Sequence, residues 1–73
     1  MSRVAVIGEE LRVQGYALAG AVVRAADDEA SVQRAWRELP GDVAIVVLTA
    51  RAAGWLGGEL ARRPGLLTAV MPG

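Results

Sequence analysis

The sequence predicts an α/β domain: a small parallel four-stranded sheet in the order 2-1-3-4, built as βαβαβαβ, a three-layer half-fold of the Rossmann-like or flavodoxin-like kind. Three observations predict it. Asp42–Thr49, DVAIVVLT, is a near-continuous β-branched run, as expected of a central parallel strand covered on both faces. Arg3–Ile7, RVAVI, is a second such run and ends at a glycine, Gly8. Between them Val32, Ala35, Trp36 and Leu39 recur at i, i+3, i+4 and i+7, the stripe of a one-sided helix.

Taken in order, the first strand places Val4 and Val6 on one face and Ala5 and Ile7 on the other, with Gly8 making the turn. Glu9 and Glu10 suit the first turn of a helix, where the dipole favours negative charge. Leu11, Gly15, Leu18 and Ala19 give that helix its stripe, with Gly15 as a close-packing point or a break and Gly20 at the C-terminus. Ala21–Ala25 is the next strand. Arg24 interrupts it, which marks a sheet edge. Asp27 or Asp28 caps the second helix, Ser31, Gln33, Arg34, Arg37 and Glu38 form its wet side, and Pro40-Gly41 ends it.

In the central strand, alternation assigns Val43, Ile45 and Val47 to one face and Ala44, Val46 and Leu48 to the other. Ala52, Leu56 and Leu60 then predict a third helix within Ala50–Arg63, shortened or frayed by Gly54, Gly57 and Gly58. Leu66–Met71 is the last strand, and Pro72 closes it. No linker, repeat or low-complexity tract divides residues 1–73, so one domain is expected.

Composition narrows function. A chain of 73 residues buries only about 60% of the surface exposed on unfolding, so a partner adds needed stability. With no cysteine, histidine or lysine, the chain lacks a disulfide framework, thiolate or imidazole metal ligands, the commonest general base and a P-loop or Schiff-base lysine. Eight basic residues balance eight acidic ones, which argues against nucleic acid as the partner. The amino terminus does not read as a signal peptide, and no apolar run approaches the roughly 20 residues of a membrane span. A cytoplasmic protein without direct membrane insertion is expected.

In an open parallel sheet, ligands bind beyond the strand C-termini near the switch in strand order. That crevice falls to Gly8, Glu9, Glu10, Thr49 and Ala50. Dinucleotide binding would need G-x-G-x-x-G here, whereas GEELRVQG puts two carboxylates where phosphate would sit. A phosphoacceptor receiver would use Glu9 and Glu10 as a Mg²⁺ pair, but it also needs an Asp where Thr49 stands and a lysine. Helix-dipole complementation accounts for the two glutamates more simply. A Ser or Thr nucleophile would find neither His nor Lys as base. No catalytic, cofactor-binding or metal-binding residue is assigned, and Thr49 is read as a strand-end hydrogen bonder.

The same residues resemble a known family, the F subunit of the vacuolar/archaeal-type (V/A-type) rotary ATPases. VAVIG is followed by GYALAG at Gly15–Gly20, similar to the family's G-F-x-L-A-G segment, then by an acidic turn and amphipathic helix over Asp27–Leu39. The central strand ends in VVLT, like the family's I-L-I-T, and the last strand ends in a proline. The motif positions are Gly8, Gly15, Tyr16, Leu18, Ala19, Gly20, Thr49 and Pro72. Ala50 departs from the Glu usual there, and family members run on for roughly 20 to 30 residues past the point where this sequence ends, enough for one more helix.

The resemblance implies a non-catalytic rotor subunit on the central stalk. It would bind the coiled-coil D subunit of the stalk and help couple ATP hydrolysis or synthesis to proton or sodium transport. It also implies a peripheral position at the membrane and, here, the stalk-binding globular half without a C-terminal arm. A stand-alone receiver-like signalling or small-ligand module is the alternative. With helices two and three on one face, the first helix cannot cover the other face alone. An apolar part of the sheet near the last two strands should stay open to a partner or, in isolation, to a second copy. Tyr16, Arg24, Trp55, Leu67 and Met71 are the candidate contacts, whereas Trp36 belongs to the core.

Overall fold

In the computed structural model the described residues are 3–63 and 65–71, the side chains of residues 17–19 excepted. The elements are β1 (Arg3–Gly8), α1 (Glu10–Val13), a 3-10 stretch (Gln14–Ala19), β2 (Val22–Ala25), α2 (Glu29–Arg37), β3 (Val43–Leu48), α3 (Ala50–Leu56), a second 3-10 stretch (Gly57–Arg62) and β4 (Leu67–Val70). The four strands pair in parallel in the order β2-β1-β3-β4, as the sequence predicts.

The sheet faces differ in cover. On one, Ala5, Ile7, Val46 and Leu48 pack under α2 and α3 with Val32, Ala35, Trp36, Leu39, Ala52 and Leu56. Every residue of the α2 stripe is buried there, and Trp36 is 2% exposed. On the other face, the α1 side, the buried group among the described side chains is Val6, Val13 and Met71. Apolar burial contributes about 25 cal/mol per Å², so the α2/α3 face supplies most of the hydrophobic stabilisation.

Two expectations are corrected. Strict alternation along β3 fails because Arg3 pairs with Val43 while Val4 pairs with Ile45, which leaves Ala44 as an extra residue. This irregularity moves Val43 onto the face of Val46 and Leu48, into the larger core. The first helix is also a single α turn that tightens into a 3-10 stretch at Gln14. Leu11 is 86% exposed, and Val13 is buried in its place. A Cβ on Gly15 would meet nothing within 4 Å, so this glycine accompanies the break and is not a packing point. Gly20 leaves the stretch at φ +84°, a conformation glycine adopts without steric cost.

Local devices fix the element ends. Asp28 caps α2, its carboxylate accepting from the Ser31 amide at 2.7 Å, and that bond holds the Asp28 carboxyl below its ordinary range. Asp27 instead accepts from the Glu10 amide at 3.3 Å. At the base of the sheet, Arg3 grips Asp42 with Nε at 2.6 Å and Nη2 at 2.7 Å. The pairing raises the Arg3 pKa and lowers that of Asp42. Both groups are about half exposed, so solvent screens the pair and it acts mainly as a registration point for β1 and β3.

Trp36→Ala should cost about 3–5 kcal/mol, most of the stability of a domain this small, and Asp28→Ala should destabilise far less, through the lost cap. Urea midpoints at an unchanged slope measure both; a Trp36→Ala protein as stable as the parent would place the core elsewhere.

Candidate functional site

At the C-terminal ends of β1 and β3 the chain packs backbone against side chain. A Cβ on Gly8 would lie 2.2 Å from Cγ2 and 2.7 Å from Oγ1 of Thr49. Only glycine permits this approach. Thr49 is 1% exposed, and its hydroxyl satisfies two partners at once. It accepts from the Ala52 amide at 3.3 Å, capping α3, and it donates to Oε2 of Glu9. Glu9 Oε1 lies 3.9 Å from Arg51 Nε, and Arg51 in turn sits over the Trp55 ring, 5.9 Å from its centroid.

The Thr49 hydrogen bond, followed by the Glu9 backbone amide, pulls the Glu9 carboxyl below its ordinary pKa, and Arg51 adds to this. Glu9 is therefore an ionised structural acceptor. That goes beyond the dipole role read from the sequence, since the carboxylate ties α1 to the start of α3. Glu10 lies in the first turn of α1, and Ala50 is the exposed first residue of α3. Among the described residues no three acidic side chains gather into a cation site.

The less covered face offers a different kind of site. Val4, Ile45 and Leu67 stand side by side across β1, β3 and β4 in the parallel register. They are 41%, 37% and 67% exposed. The row behind them, Val6, Val47 and Ala69, passes from buried through half-buried to exposed. The α1 region packs against β1 and β2, leaving this row uncharged and open towards β4. Adjacent exposed apolar side chains of this kind mark interaction surfaces.

The candidate contacts do not form one patch. Leu67 lies in the apolar row, and Tyr16, 40% exposed, belongs to the 3-10 stretch after α1. Arg24 is exposed on the edge strand β2, where its register partner Ile7 places it on the α2/α3 face. Trp55 is half-buried at the margin of the larger core. Met71 presents no surface: at 9% exposure it fills the smaller core beside Val6 and Val13, because its amide continues the ladder to the Leu48 carbonyl at 2.7 Å. Of the motif positions, Gly8 and Thr49 meet directly, the side chains of Leu18 and Ala19 and all of Pro72 lie outside the described residues, and Gly15, Tyr16 and Gly20 shape the 3-10 segment. The sequence led to an open apolar area near the last two strands but did not single out Val4 and Ile45, because the extra residue at Ala44 that sets them side by side has no signal in the sequence.

Gly8→Ala should destabilise by about 1–3 kcal/mol, because stiff, β-branched Thr49 cannot yield, and Thr49→Ser added to it should recover part of the loss. Acid should also weaken the fold. Glu9, Asp28 and Asp42 have depressed pKa values when folded, so the unfolded chain takes up protons first. Their contribution is present above the ordinary carboxylate range, about pH 4, and is lost as pH falls through the lowered folded values. Glu9→Gln should lower stability at neutral pH towards the level reached in acid, and so shorten the acid limb in urea titrations, with the pH dependence above that limb staying flat.

A search of curated proteins found no match. The family model of the ATP synthase (F/14-kDa) subunit matches residues 4–70. That span runs from the first strand to the end of the last and includes the Gly8–Thr49 contact and the open row. The chain therefore belongs to the ATP synthase (F/14-kDa) subunit family.

Proposed function

We propose that this chain is a non-catalytic subunit of the rotor stalk in a V/A-type ATPase, moving protons or sodium ions, and that it binds the coiled-coil D subunit of that stalk. The observation that carries this reading is the family match over residues 4–70 combined with the exposed Val4–Ile45–Leu67 row. A coiled-coil helix carries an apolar seam, and an uncharged row across three strands is a complementary surface for it. Tyr16, on the α1 side, extends this contact; Arg24 and Trp55 are secondary contacts at other points of the surface. The chain's work is to dock and transmit torque, with the chemistry left to other subunits. As part of the complex it sits at the cytoplasmic side, peripheral to the membrane. Among the described residues no helix is long and apolar enough to cross one.

Light scattering on the chain mixed with the coiled-coil stalk protein from the same genome tests this. The expected result is a one-to-one complex, which Leu67→Glu weakens by about tenfold or more while leaving the urea midpoint nearly unchanged. A tight homodimer that ignores the stalk protein would overturn the reading.

A further inference from the structure

A cleft of about 430 Å³ opens at the opposite end of the sheet, below the N-terminal ends of β3 and β4. Leu39, Val43 and Leu66 give it an apolar floor, and Arg62 and Arg63 stand in its wall. Among the described residues no acidic side chain lines it. The nearby Asp42 is already held by Arg3 through two hydrogen bonds. Arg63 is oriented: its guanidinium lies over the Trp36 ring, 5.3 Å from the centroid, and Nη2 reaches the Arg37 carbonyl at 3.5 Å. The Arg62 side chain makes neither a hydrogen bond nor an ion pair with any described residue. In a chain with no net charge, the cleft is thus a local excess of positive charge over an apolar base.

We propose that this cleft docks a segment of a partner protein that presents a carboxylate beside a bulky apolar side chain. Charge complementarity selects the carboxylate, since a planar guanidinium with free donors pairs best with a planar anion. The apolar floor selects its companion. Small ligands of open parallel sheets bind at the strand C-termini, and this cleft lies at the other end, which favours a protein side chain over a free metabolite. A nucleic acid would find two arginines and a greasy floor where it needs a run of cations. The inference rests on the reading that the chain works within a multi-subunit complex. It adds a second contact, remote from the strand C-termini and not part of the Val4–Ile45–Leu67 row.

The test uses two capped peptides, acetyl-Leu-Leu-Glu-Leu-amide and its Gln counterpart, titrated into the ¹⁵N-labelled chain. The Glu peptide should shift the Gly41, Gly65 and Leu66 amides and the Trp36 indole N–H, and leave the Gly8 amide and the Trp55 indole in place. The Gln peptide should bind roughly fivefold more weakly or worse, and Arg62→Gln should abolish that preference without moving the urea midpoint. Equal binding of the two peptides, shifts centred elsewhere, or no shifts at all would overturn the proposal. A complex with the stalk protein but no Glu preference leaves the rotor reading standing and removes the cleft; a Glu preference with no stalk complex does the reverse.

Discussion

The contact of bare Gly8 backbone with the Thr49 side chain sets the geometry of the domain. It lets the two central strands end side by side, with the Thr49 amide donating to the Ile7 carbonyl at 3.2 Å. From that point Thr49 starts α3 and holds Glu9, so the chain leaving β1 and the chain leaving β3 are aimed by one hydroxyl. β2 and β4 are then added on either side of a pair already in place. A buried hydroxyl is costly without partners, and here both its donor and acceptor roles are used.

The domain divides its labour between faces. Of the fifteen buried apolar residues among those described, the side under α2 and α3 holds twelve, Trp36 included, while the α1 side holds three. A short α turn continuing into a 3-10 stretch covers the second side, and such segments have few bonds to resist local opening. Stability thus resides on one face, and the other is free to be shaped by what it meets. The apolar row and the larger core lie on opposite faces of the sheet, and Val4, Ile45 and Leu67 take no part in that core.

Much of this was legible in the sequence because periodicity reports burial directly. The DVAIVVLT run, the Val32–Leu39 stripe and the Arg24-marked edge gave the sheet, its order and the side on which Trp36 lies. What was not legible depended on pairing. The extra residue at Ala44 is visible only once β3 lies against β1, and it transfers Val43 from one face to the other. The exposure of Leu11 follows from the helix ending after one turn, which glycine content hinted at without fixing the phase. At the candidate sites the same limit holds. The role of Glu9 depends on a threonine forty positions away, and Met71 reads as an outward strand-end residue until the sheet brings it beside Val6 and Val13.

The two edges of the sheet are guarded unequally. β2 carries Arg24, whereas the four residues of β4 carry neither charge nor proline, and all are exposed. An unguarded edge next to an apolar row is adhesive in any chain that has left the ribosome before its partners are present. For such a subunit the hazard lies in imbalance: made in excess, it is an orphan that must be degraded or chaperoned. The surface that suits it for assembly therefore ties its safe abundance to the stoichiometry of the complex it joins.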